Sequence, residues 1–162
     1  MITIKKCERI INRLKKDFPA VEKVKLEVKI KPLKLGSMRI VRHLFNKYII
    51  IIDPEMYPDA NEKEIMGGLA HELCHLEHDN KISFFKYLVY LGYYLISKRF
   101  MVKTEIENDI NTIKKGYGNE LIANRSYRER KNPRNKLIEK SKRPFMLSKE
   151  IKNYMEENDA RH

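Results

Sequence analysis

The chain has no tryptophan, only two cysteines among 162 residues, no apolar run long enough to cross a bilayer, and too few acids to balance its bases. Cys7 and Cys74 are too few and too far apart for a disulfide framework, so a reducing cytoplasm is the expected setting. Met1 to Arg9 alternates apolar and charged residues without a hydrophobic block, which argues against a secretory leader. There are no internal repeats. The excess of 34 Lys and Arg over 22 Asp and Glu leaves a net charge of +12. Such a charge suits nucleic acid, an anionic membrane or acidic substrates, and selects none of them. Abundant Ile, Lys and Glu without Trp fits a thermophilic source and an AT-rich genome equally well.

At 42% hydrophobic residues the chain can bury one modest core. The expected organisation is one domain over residues 1–131, followed by a basic linker and helical segment over 132–162. Ile4, Cys7, Ile10, Ile11, Leu14 and Phe18 recur at helical spacing and predict a first helix of about fifteen residues, ended by Pro19. Val24 to Ile30 alternates as a half-buried strand does and stops before Pro32. Gly36 marks a turn, Met38 to Phe45 reads as a second strand, and Tyr48 to Ile52, closed by Asp53-Pro54, reads as the central one. The predicted class is α+β, a small zincin-like domain with a short mixed or antiparallel sheet.

Asn61 to Asp79 is the longest helix-compatible run, capped by Asp59 or Asn61, with Glu62 and Glu64 in its first turn. Ile65, Leu69, Leu73 and Leu76 give it a core-facing stripe, and Gly67-Gly68 implies close approach of another backbone. Within it stands His71-Glu72-Leu73-Cys74-His75. Residues four apart share a helical face, so His71 and His75 can aim their imidazoles at one metal ion, with Glu72 placed to reach a water on that metal. Cys74 reads as a small buried hydrophobe rather than a ligand, and His78 as a surface or supporting histidine.

From Ile82 to Met101 the chain is almost continuously apolar and aromatic. Its uncharged part, Tyr87 to Ser97, is far shorter than a membrane span. A buried helix is the ordinary reading, favoured over a membrane-surface or partner-binding segment, and its aromatic rings suit the wall of a cleft as well. The next helix offers Glu105, Glu107 and Asp109. Glu105 and Asp109 are four apart and share a face, so Glu105 can be a third metal ligand and Asp109 can receive an N–H from a ligand histidine, while Glu107 meets solvent. Ile106, Ile110 and Ile113 are expected to be this helix's buried side, with Gly116 and Gly118 ending it near Tyr117.

These motifs, His71-Glu72-Leu73-Cys74-His75, then Glu105 to Asp109, then Lys115-Gly116-Tyr117-Gly118, resemble the gluzincin zinc peptidases, in particular the small minigluzincins. Those are similar to the catalytic domains of membrane peptidases of the heat-shock-protease and CAAX prenyl peptidase kinds. The resemblance runs from about Ile49 to Tyr127. It implies one zinc per chain held by His71, His75 and Glu105, Glu72 as general base, Asp109 as buttress, and a peptide or protein substrate. It also implies a C-terminal segment, Phe145 to His162, able to hold the enzyme latent across its cleft or to mediate self-association. The oxyanion donor is left open among Tyr117, Tyr127, His43 and Arg125, and the Met38 to Phe45 edge is a candidate to pair with an extended peptide.

His71 to Asn80 is also similar to the SprT-like metalloproteins, but the position of their third histidine is Lys81 here. A metal-binding module attached to nucleic acid therefore stands as the alternative. Nine Lys or Arg lie between Arg125 and Arg143, and Ser148 is the expected cap of a last helix through Tyr154 and Met155.

Overall fold

The computed structural model describes residues 2–33, 36–43, 46–139 and 142–160, with 135, 136 and 159 described by their backbone alone. Met1, Phe45, Lys140 and His162, which bound or fall within expected segments, lie outside the described residues. The fold is α+β. Helix α1 spans Ile4–Leu14, capped by the Thr3 hydroxyl, and buries Cys7, Ile10, Ile11 and Leu14. Its α-helical hydrogen bonding stops short of the expected length. A tighter turn, Lys15–Asp17, carries the chain to buried Phe18 before Pro19 opens a second such turn.

Three strands follow, β1 (Lys25–Ile30), β2 (Met38–Arg42) and β3 (Lys47–Ile52), in the sheet order β1-β3-β2. β3 runs parallel to β1 and antiparallel to β2, so the sheet is mixed and β3 is central. Tyr48, Ile50 and Ile52 are fully buried and Ile49 and Ile51 half-buried, as a strand covered on both faces requires. Asp53 N–H donates to Ser37 O, and His43 N–H to Lys47 O. With that alternation the amides of Met38, Ile40 and Arg42 point away from β3, toward the free edge of the sheet.

Helix α2 (Glu62–Lys81) begins at Asn61, whose side chain accepts from Glu64 N while the Glu64 carboxylate accepts from Asn61 N, at 2.9 and 2.8 Å. Asp59 is engaged instead by Tyr127 and Lys131. Ile65, Leu69, Leu73 and Leu76 are wholly buried, as their spacing predicts. Helix α5 (Gly118–Lys131) packs on α2 so closely that a methyl at Gly67 would overlap the Glu120 carbonyl, which is the packing reason for a glycine there.

Between them lie α3 (Phe84–Ile96) and α4 (Lys98–Thr112), capped by Ser83 and Ser97. A widened turn, Ile113–Tyr117, with Gly116 at φ +87°, redirects the chain from α4 into α5. Two expectations are corrected here. α3 is not a buried helix: Tyr87 is its one fully buried residue, while Phe85 and Ile96 are 79% and 88% exposed. The buried face of α4 is polar, made of Thr104, Asn108, Asp109 and Thr112, with Ile106, Ile110 and Ile113 only half-buried, because that face meets histidines rather than the core.

The chain ends in α6 (Ser148–Asp159), packed on α5 through fully buried Ile151 and through Met155 against Gly118. Ser148 is the first residue of α6 rather than its cap: its N–H and hydroxyl both donate to Glu129. Glu150 instead accepts from Leu147 N–H. Among the described residues no helix is long and apolar enough to cross a membrane.

Candidate metal centre

The middle of α2 and the middle of α4 meet at three side chains. His71 Nε2 lies 3.1 Å from Glu105 Oε2, and His75 Nε2 lies 3.2 Å from Glu105 Oε1. The histidine rings stand edge to face at 5.0 Å. One potential ligand atom from each of His71, His75 and Glu105 falls within 4.8 Å of the others, so this group can hold a metal ion. The donor set fits one. Ligands about 2.05 Å from a tetrahedral ion stand about 3.3 Å apart, near the two His–Glu separations here, and three protein ligands leave a fourth position open.

Each candidate ligand is itself held. Asp109 is completely buried and places Oδ1 2.8 Å from His71 Nδ1, a close contact without an aligned N–H···O. Arg125 Nη2 donates to the same Oδ1 at 2.6 Å, and Met146 N–H donates to Oδ2 at 2.7 Å. The latter hydrogen bond brings the C-terminal segment against the side of His71 opposite the nitrogen that faces Glu105. Asn108 Nδ2 lies 2.9 and 3.3 Å from the two ring nitrogens of His75. An in-plane partner of Nδ1 would stand far from Nε2, so the amide lies over the ring face, leaving the Nε2 lone pair free. The amide also donates to Thr104 O at 3.1 Å. Tyr94 Oη, reaching in from α3, donates to Glu105 Oε1 at 2.5 Å.

Electrostatics agree with the geometry. Burial alone disfavours a charged His71, but Asp109 and Glu105 outweigh it and lift its pKa to about 9. His75 is raised against the same burial by Glu105. Burial likewise disfavours the Glu105 anion, yet His75 and His71 hold it well below the usual carboxylate range. Burial also disfavours the Asp109 anion, but Arg125 and His71 outweigh it and lower its pKa. Burial, then Glu105, pushes the Tyr94 phenol far up, so it stays a donor. Without metal, then, the Glu105 and Asp109 carboxylates face a His71 ring that holds its proton more tightly than usual, and an ion binds by displacing that proton.

Glu72 sits beside this triad on α2, 8% exposed. Its Oε2 accepts at 2.8 Å from Ile40 N–H, one of the outward amides of edge strand β2. The general-base candidate is thus tied to the sheet edge.

The residues left open as oxyanion donors are committed elsewhere. Tyr117 Oη donates to Asp17 at 2.5 Å, and Tyr127, stacked on Tyr57, donates to Asp59 at 2.7 Å. Arg125 serves Asp109, and His43 is exposed. His78 is a half-exposed surface histidine against Asp79 and Tyr90, Cys74 is buried against Thr112, and Glu107 meets solvent. Sequence reasoning missed Tyr94, Asn108 and the Ile40 amide. Asn108 was within reach, three residues after Glu105 on the same helical face. Tyr94 lies on another helix, and no spacing rule connects it to Glu105. No protein-family model, curated protein or solved structure matches the chain.

Proposed function

We propose that this chain is a zinc-dependent peptidase whose metal is held by His71, His75 and Glu105. The observation that carries the reading is the convergence of two Nε2 atoms and one carboxylate beside a fourth residue, Glu72, that is not needed to hold the ion. A purely structural zinc site more often has four protein ligands and has no use for a neighbouring base. Zinc in this position would supply Lewis-acid chemistry, acidifying a water and polarising a peptide carbonyl.

The chain's own residues divide the remaining work. Glu72, oriented by Ile40 N–H, takes a proton from water and delivers it to the leaving amine. Asp109, backed by Arg125 and Met146 N–H, fixes the His71 ring. Asn108 fixes the His75 ring, and Tyr94 orients the Glu105 carboxylate. The outward backbone of β2 lies next to Glu72, so an extended polypeptide laid along that edge brings a peptide bond to the base.

The test is zinc content and casein hydrolysis measured on the wild type and on Glu72→Gln. One zinc per chain in both proteins, with proteolysis reduced by roughly 10²- to 10⁴-fold in the variant, is expected. Zinc without proteolysis in the wild type would remove the enzymatic reading and leave a metal-binding module.

A further inference from the structure

Six of the nine large hydrophobic side chains exposed among the described residues lie on one helix, α3. Phe85, Leu88, Val89, Tyr93 and Ile96, spaced three, one, four and three residues apart, form one outward stripe on the helix, with Leu95 beside it. The opposite face, through Tyr87 and Tyr94, packs inward. Monomeric proteins seldom leave so continuous an apolar surface uncovered, so this face has an occupant.

Charge identifies it. From Lys81 to Thr104 the sequence contains no Asp or Glu, while Lys81, Lys86, Lys98, Arg99 and Lys103 are all exposed around α3. Of these, among the described residues, only Lys103 has an acidic partner, Glu107 at 3.8 Å. The surface that covers the stripe must therefore be apolar and carry negative charge at its margin. A second copy of the chain is apolar but brings the same bases to the contact, where like charges oppose association. An anionic bilayer has both properties, acyl chains beneath a layer of phosphates.

We propose that α3 docks the protein flat on an anionic membrane surface, its apolar stripe at the acyl boundary and Lys81, Lys86, Lys98 and Arg99 among the lipid phosphates. Thirteen residues give a helix about 20 Å long, shorter than the roughly 30 Å hydrocarbon core, which suits a helix that lies in the interface and not one that spans it. The exposed rings of Phe85 and Tyr93 are of the kind that settle at that boundary. α3 is also a wall of the metal centre, through Tyr94, so docking would set that centre close to the lipid.

Vesicle flotation of the full chain tests this without reference to catalysis, so it stands or falls separately from the peptidase reading. The probes are vesicles of phosphatidylcholine with phosphatidylglycerol and vesicles of phosphatidylcholine alone. The variants are Phe85→Ser/Val89→Ser/Ile96→Ser and Lys86→Glu/Lys98→Glu/Arg99→Glu, all at exposed positions, with thermal melts to confirm an intact fold. The wild type is expected to float with the anionic vesicles, and binding should fall roughly tenfold or more for either variant or on neutral vesicles. A wild type that stays unbound overturns the proposal, as does a serine variant that floats like the wild type. So does a dimer in sedimentation equilibrium that the serine variant abolishes, since a second copy would then cover the face.

Discussion

The Tyr94 hydroxyl donates to Glu105 Oε1 at 2.5 Å across the Ser97 turn that joins α3 to α4. Glu105 Oε1 also faces His75, and Oε2 faces His71, so the phenol helps fix the rotation of a carboxylate that serves both histidines. Supporting hydrogen bonds to ligands typically contribute 10- to 100-fold to metal affinity. Tyr94→Phe is expected to weaken zinc binding by roughly tenfold, measured by competition with a chelator, with little change in melting temperature of the metal-free protein. Unchanged affinity would mean that Glu105 is oriented by α4 alone.

Much of this site was legible because helical spacing converts sequence into direction. His71 and His75, and again Glu105 and Asp109, are four apart on helices, and the cap and apolar stripe of α2 were readable as well. What brings α2 and α4 together was not readable, since it depends on tertiary contacts with no fixed spacing. α3 shows the limit most clearly. Its composition reads as a core helix, and hydrophobicity alone does not distinguish a helix covered by its own protein from one covered by something else. The polar inner face of α4 failed for the converse reason. Its isoleucines suggested the buried side, whereas the side that had to be buried was the one facing His71 and His75, through Asn108 and Asp109.

Gly67 lies where α2 and α5 meet, and a Cβ there would run into the Glu120 backbone, which cannot move without shifting α5. Gly67→Ala is expected to lower stability by about 1–3 kcal/mol or more, read from urea or thermal unfolding, despite alanine's better helix propensity. Gly92 provides the control. Nothing lies within 4 Å of a Cβ added there, so Gly92→Ala should be neutral or raise stability by about 0.4–1 kcal/mol. Equal effects at the two positions would rule out a special packing role for Gly67.

Cys7 is wholly buried in α1, and burial pushes its thiol from 9.0 up to about 11. A group whose pKa is raised by folding contributes stability that is fully present below its unfolded pKa and is lost as pH rises through the folded one. Part of the protein's stability should therefore disappear between pH 9.0 and about 11. Cys7→Ala should differ from the wild type by a constant amount below that window and show a shallower decline within it, in denaturation midpoints taken across pH. An identical slope in the variant would show that the Cys7 proton is not what the fold retains.

The C-terminal segment meets the candidate metal centre from behind. Met146 N–H donates to Asp109 alongside Arg125, and Phe145, buried, lies under the guanidinium groups of Arg125, Arg128 and Arg143. Arg143 in turn donates to Phe145 O at 2.9 Å and to the Glu150 carboxylate, fastening the segment to the start of α6. A chain ending at Lys142 would strip Asp109 of one donor and uncover Arg125 and Arg128 next to it. Each buried partner lost costs about 1–3 kcal/mol, and Asp109 would hold the His71 ring less firmly. The truncated protein is thus expected to melt earlier and to bind zinc less tightly, with no gain in casein hydrolysis. The latency expected from the resemblance makes the opposite prediction, since removing an inhibitory segment raises activity. Measuring zinc affinity beside hydrolysis separates the two: a support lost reduces both, whereas a plug removed raises hydrolysis and leaves the metal in place.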